Sequence, residues 1–108
     1  MQIIIHKHKE PETMTLEEFA DGHGLVMEVF ERDNTFTGDG KFYARFRNCE
    51  TKDSSQDSFL TSNHGNGSSP EEAIEAYAKE ISKKILVRDA CSRARKEIVV
   101  PKLIKKTY

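Results

Sequence analysis

Four groups of residues in this chain carry side chains that could act together on a ligand or partner. The first is His64-Gly65-Asn66-Gly67-Ser68-Ser69, which runs straight into Pro70-Glu71-Glu72-Ala73-Ile74. Backbone N–H groups at a helix start attract anions, and glycines let a phosphate come close. Gly65, Gly67, Ser68 and Ser69 are therefore a candidate anion site. Glu71 and Glu72 oppose it, because they already complement the helix dipole and would repel a phosphate. No Lys follows the glycines as in a P-loop, and no strand-GxGxxG-helix pattern is found. The run is expected mainly to turn the chain and cap a helix.

The second group lies in Lys41-Phe42-Tyr43-Ala44-Arg45-Phe46-Arg47. Strict alternation puts Tyr43, Arg45 and Arg47 on one face of a strand. Aromatic rings on an exposed sheet face can stack on bases while arginines meet phosphate, so this face suits either a protein partner or a nucleic acid. The RNP1 pattern of RNA-binding sheets is not matched. The third group is acidic. Glu10, Glu12, Glu17, Glu18, Asp21, Glu28, Glu31 and Asp33 are opposed only by Arg32. Such a segment can dock on a basic protein surface, with Glu17, Glu18, Asp21 and Glu28 as the candidate contacts.

The fourth group is His6 and His8, which would share a strand face. No further residue has the spacing to complete a metal site, so neither metal nor cofactor is expected. Cys49 and Cys91 form no CxxC pair and are expected as reduced thiols packed as small apolar groups. No nucleophile elbow or HExxH stretch occurs, so catalytic residues are not expected and the chain is taken as a non-enzyme.

The elements that would position these residues follow from periodicity. Thr15 and Glu18 form a capping-box pattern before a short helix, about 16–21, closed by Gly22 or Gly24. Residues 25–32 and 41–48 suit strands, with the Asp39-Gly40 turn between them. Residues 51–57 read as an exposed loop and 58–62 as a short third strand. Ser69 as N-cap, Pro70 at N1 and Glu72 at N3 open a long helix, about 70–83. Ile74, Tyr77, Ala78, Ile81 and Ile85 form its apolar stripe, placed against Phe42, Ala44 and Phe46. Residues 84–88 and 97–101 suit further strands, and 2–9 a short one.

The 108 residues fit one domain. The expected fold is α+β: a three- to five-stranded, mainly antiparallel sheet with the long helix on one face. Met14 can itself begin a chain. Residues 1–13 are thus expected as an extension or short strand, 14–101 as the domain and 102–108 as a basic tail. No apolar run reaches the roughly 20 residues of a membrane span, so a soluble, cytoplasmic chain with no membrane partner is expected. The net charge of −1 conceals an asymmetry: residues 1–78 sum to −8 and residues 79–108 to +7. This predicts a dipolar molecule with an acidic front and a basic back.

Two motifs carry a resemblance. Phe42-Tyr43-Ala44 with Phe46, followed by Gly67, Ser69 and Glu71-Glu72-Ala73, resembles the β-β-β-α layout of HicB-type antitoxins over residues 41–83. The resemblance implies that core fold. The same order with Gly65-x-Gly67 before the helix is similar to double-stranded RNA-binding domains. Those carry lysines where Pro70–Ile74 here carries carboxylates, which argues against duplex RNA. From Met14 to Pro101 the chain resembles small proteins encoded by bacteriophages and prophages. That likeness implies an accessory protein that binds and blocks a host protein, such as an anti-CRISPR-like inhibitor of host defence. A nucleic-acid or anionic-ligand binder using Tyr43, Arg45, Arg47 and the basic segment 88–106 is the alternative. Pairing of the short third strand at a sheet edge would allow a homodimer.

Overall fold

A computed structural model describes residues 1–5, 13–33, 40–54, 56 and 59–105. The architecture is α+β, with two helices and eight strands. The first strand, β1 (Thr13–Thr15), runs directly into helix α1 (Leu16–His23). Thr15 caps it: its hydroxyl accepts from the Glu18 N–H while the Glu18 carboxylate accepts from Thr15, the reciprocal box the spacing predicts. The helix is longer than expected because Gly24, not Gly22, takes the left-handed conformation, at φ 63°, and ends it.

Strands β2 (Met27–Glu31), β3 (Phe42–Phe46) and β5 (Gly65–Gly67) form an antiparallel sheet in the order β2-β3-β5. Helix α2 (Pro70–Ile81) packs on one face of it. The opening of α2 follows expectation, with the Ser69 hydroxyl accepting from the Glu72 N–H and Pro70 in the first turn. Its buried stripe is Ala73, Tyr77 and Ile81, while Ile74 and Ala78 are only half-buried. Phe46 meets Tyr77 edge to face at 5.4 Å, and Ala44 lies fully covered beside it. Burial pushes the Tyr77 hydroxyl up to about 12.

A second antiparallel sheet, β4-β6-β7, contains β4 (Cys49–Lys52), β6 (Ile85–Arg88) and β7 (Lys96–Val99). The chain passes from β3 to β4 through Asn48, whose φ of 57° turns it between the sheets. Strand β8 (Lys102–Ile104) then pairs in parallel with β1, Met14 opposite Leu103. One apolar cluster joins these layers through Leu16, Phe19, Phe46, Tyr77, Leu86, Ile98 and Val100.

Three expectations are corrected here. Thr51 and Lys52, expected to open an exposed loop over 51–57, instead belong to the strand Cys49–Lys52. Two of its polar side chains are buried because each finds a partner: Thr51 accepts from Asn63 Nδ2 at 2.7 Å, and the Lys52 amine sits 2.7 Å from Glu97. The third strand of the first sheet is 65–67, not 58–62. Phe59 is exposed, only Thr61 pairs, with Thr51, and Ser58 lies outside the described residues. Of the expected tail, Lys102–Ile104 form a strand with Leu103 buried in the core, and residues 106–108 lie outside the described residues. Gln2–Ile5 carry no strand, and residues 6–9 lie outside the described residues.

Candidate functional site

The run Gly65–Ser69 has a packing role. A Cβ on Gly65 would overlap the backbone of Ala73 and Tyr77, and one on Gly67 would come within 2.5 Å of the Ala73 nitrogen. The glycines thus let α2 lie directly on β5. The donors that follow are also taken. The Ser68 N–H and hydroxyl both donate to the Glu72 carboxylate, which holds Glu72 below the usual carboxylate range. The candidate anion position at Gly65, Gly67, Ser68 and Ser69 already contains the chain's own carboxylate.

The face of β2-β3-β5 turned away from α2 is different. The register places Phe30 opposite Tyr43 and Tyr43 opposite Asn66, with Glu28 opposite Arg45. Phe30 and Tyr43 stack at 4.8 Å with 16° between their planes. The Arg45 guanidinium lies 5.3 Å from the Phe30 ring centre, and that of Arg32 lies 4.8 Å from the Tyr43 ring centre. Cross-strand neighbours therefore make a four-member series, Arg45, Phe30, Tyr43, Arg32. His64 adds an edge contact to Tyr43 at 5.5 Å. Arg32 straps the series in place, donating to the Gly40 carbonyl at 2.9 Å and to Asn66 Oδ1 at 2.6 Å.

The sequence located Tyr43 and Arg45 on this face but missed Phe30, Arg32, His64 and Asn66. Alternation along 25–32 puts Glu28 and Phe30 on one side. Only the hairpin register and the true position of β5 bring the groups together. Arg47 lies beyond the end of β3 and is ion-paired with Glu28 at 3.4 Å.

The acidic candidates do not form one surface. Glu17, Glu18 and Asp21 are exposed on α1, with Glu18 occupied as a cap, whereas Glu28 stands on the sheet face among the arginines. The basic final third is likewise divided. Lys84, Arg88, Arg95 and Lys105 pair with Glu80, Asp89, Glu97 and Glu75. Pairing of β1 with β8 sets Thr13–Thr15 of the acidic part of the sequence beside Lys102–Ile104 of the basic part.

Two hollows adjoin these elements. One, of about 400 Å³, continues from Arg45 past Asn48, Glu50 and Asp89 and is lined by both cysteines. Cys49 is buried and Cys91 exposed, with no disulfide between them. Burial pushes the Cys49 thiol up to about 11, so it stays protonated and poorly nucleophilic near neutrality. The other hollow, of about 350 Å³, is apolar and lies between α1, α2 and β8. Among the described residues no group of three or more His, Cys, Asp or Glu side chains could hold a metal ion. His23 packs on Phe19 at 4.8 Å, and His6 and His8 lie outside the described residues. No helix among the described residues is long and apolar enough to cross a membrane. Comparison with protein-family models, curated proteins and solved structures finds no match to this chain.

Proposed function

We propose that the chain is a non-catalytic binding module that acts by stoichiometric association with a protein partner through the outer face of β2-β3-β5. The observation that carries this reading is the series Arg45, Phe30, Tyr43, Arg32 on the sheet face turned away from α2, where the two rings are half-buried and Arg45 is exposed. Tyr and Arg are the side chains that anchor protein interfaces, because a planar group gives large contact area for little lost freedom. Guanidinium, ring and amide groups dominate this face, with the His64 imidazole and the Glu28 carboxylate beside them, a set suited to holding a partner. The resemblance of residues 14–101 to small phage and prophage proteins, read from the sequence, points to a bacterial host protein as partner and to inhibition of a host defence or nucleic-acid-processing component as the consequence.

Nucleic acid is the second reading, and the two arginines beside two aromatic rings favour it. Each ring already has a ring and a guanidinium against it, however, which leaves less free π-surface for a base. The two readings separate on salt. Phosphate contacts release counterions and give a steep loss of affinity with salt, which a mainly apolar and bidentate protein contact does not.

The test is capture from host lysate at two salt concentrations with the wild-type chain, Tyr43→Ala, Arg45→Glu and Glu17→Lys. The expected result is one protein retained at fixed stoichiometry by wild type and Glu17→Lys and lost from the two sheet-face variants. Retention by the Tyr43 and Arg45 variants would remove this face from the account.

A further inference from the structure

We propose that the apolar groove between α1, α2 and β8 receives Ile3–Ile5 of a second copy of this chain. This goes beyond the sheet-face reading and uses a different part of the molecule. The groove floor is Leu16, Ile74, Ala78 and Leu103. Ile74 and Ala78 are helix residues in step with the core stripe, yet they remain only half-buried, and Ile104 at the rim is 44% exposed. Glu17, Glu71 and Glu75 border the groove; Lys79 and Lys105 also border it, with Lys105 directed to Glu75 at 3.9 Å.

The occupant follows from the chain's own composition. Ile3, Ile4 and Ile5 are 70%, 70% and 87% exposed, a contiguous apolar patch on a segment with strong β-propensity. His6-Lys7-His8-Lys9 comes next, with no carboxylate before Glu10. An apolar triplet followed by cations complements an apolar floor whose border carries three glutamates against two lysines, one of them already directed to Glu75. Within one chain the isoleucines stay in solvent, although β1 leads directly to groove residue Leu16. Each copy offers one arm and one groove, so mutual exchange satisfies both and closes at two copies.

The experiment is sedimentation equilibrium of the full chain over a concentration series, with Ile4→Asp, Ala78→Glu and an equimolar mixture of the two variants. Ile4 is exposed, so Ile4→Asp leaves the fold intact, which circular dichroism checks. Wild type is expected to approach twice the monomer mass, and each variant to weaken association about tenfold or more, as loss of one buried isoleucine contact implies. The mixture is expected to recover part of the association, because it restores one sound arm facing one sound groove. A wild-type chain that stays monomeric, a dimer that tolerates Ile4→Asp, or cross-links from residue 4 to residue 78 within a single chain would each overturn the proposal.

Discussion

Strand β3 separates two surfaces built from adjacent residues. On the α2 side, Ala44 and Phe46 are wholly covered, and the neighbouring strand has glycines where any side chain would strike the helix. On the other side, Tyr43, Phe30 and Arg32 are half-buried in their mutual contacts and Arg45 is exposed. The first surface tolerates almost no change of shape, since protein interiors are packed as tightly as organic crystals. The second holds its geometry by cation–ring and ring–ring contacts, each worth only about 0.5–1.5 kcal/mol. One strand therefore specifies the fold with one face and keeps the other for a partner.

The sharpest way to break this contrast is Gly65→Ala. The added methyl meets α2 backbone, which cannot move aside as a side chain can, so a loss of about 3 kcal/mol or more is expected in denaturant unfolding. Phe46→Ala should cost a similar amount, about 3–4 kcal/mol, by leaving a cavity against Tyr77. If either variant melts like wild type, α2 does not sit on this sheet as described.

The same surface predicts an alkaline weakness. Tyr77 and Cys49 hold their protons in the folded state beyond their ordinary values of 10.0 and 9.0, up to about 12 and about 11. Above those ordinary values the unfolded chain releases protons first. Stability is therefore full below pH 9.0 and falls as pH rises toward about 12. Tyr77→Phe should flatten that decline in melts taken across this range, and an unchanged decline would mean that the hydroxyl is not buried.

Smaller effects sharpen the comparison. Ser69→Ala should cost about 1 kcal/mol through loss of the cap to Glu72. Glu72 and Glu97 lie below the usual carboxylate range, through Ser68 and Lys52 respectively. Their contribution is present above that range and lost as pH falls through the lowered folded value. Tyr43→Ala loses a ring stack and a cation–ring contact and should cost about 1–2 kcal/mol, still below Phe46→Ala, while Arg45→Glu should cost under about 1 kcal/mol; both belong at the top of any binding series. A Tyr43→Ala loss as large as that of Phe46→Ala would make the outer face structural.

The helices were legible because their signals are local. Thr15 with Glu18, and Ser69 with Pro70 and Glu72, act within one turn. Strand β3 was legible because its alternation is strict. Strand β4 was hidden because Cys-Glu-Thr-Lys has no apolar period; it is buried only because Asn63 and Glu97 arrive from elsewhere in the chain. Strand β5 was hidden because Gly-Asn-Gly has poor strand propensity, and its conformation is chosen by the helix above it. At the candidate site, alternation gave Tyr43 and Arg45, but Phe30, Arg32 and His64 depended on register. The acidic stretch is divided by the same kind of non-local placement: Glu17 stands on a helix and Glu28 on the sheet, ion-paired with Arg47.

The most direct test of the sheet-face account is native mass spectrometry, with an absorbance spectrum, of the chain purified from its natural host without nuclease. The chain has no Trp and three Tyr, so bound nucleic acid would dominate the spectrum. The account predicts a protein partner at fixed stoichiometry, absent when Arg45→Glu is purified in the same way. Co-purifying nucleic acid lost on Arg45→Glu would contradict the protein-partner reading, and a protein partner retained by Arg45→Glu would contradict the site.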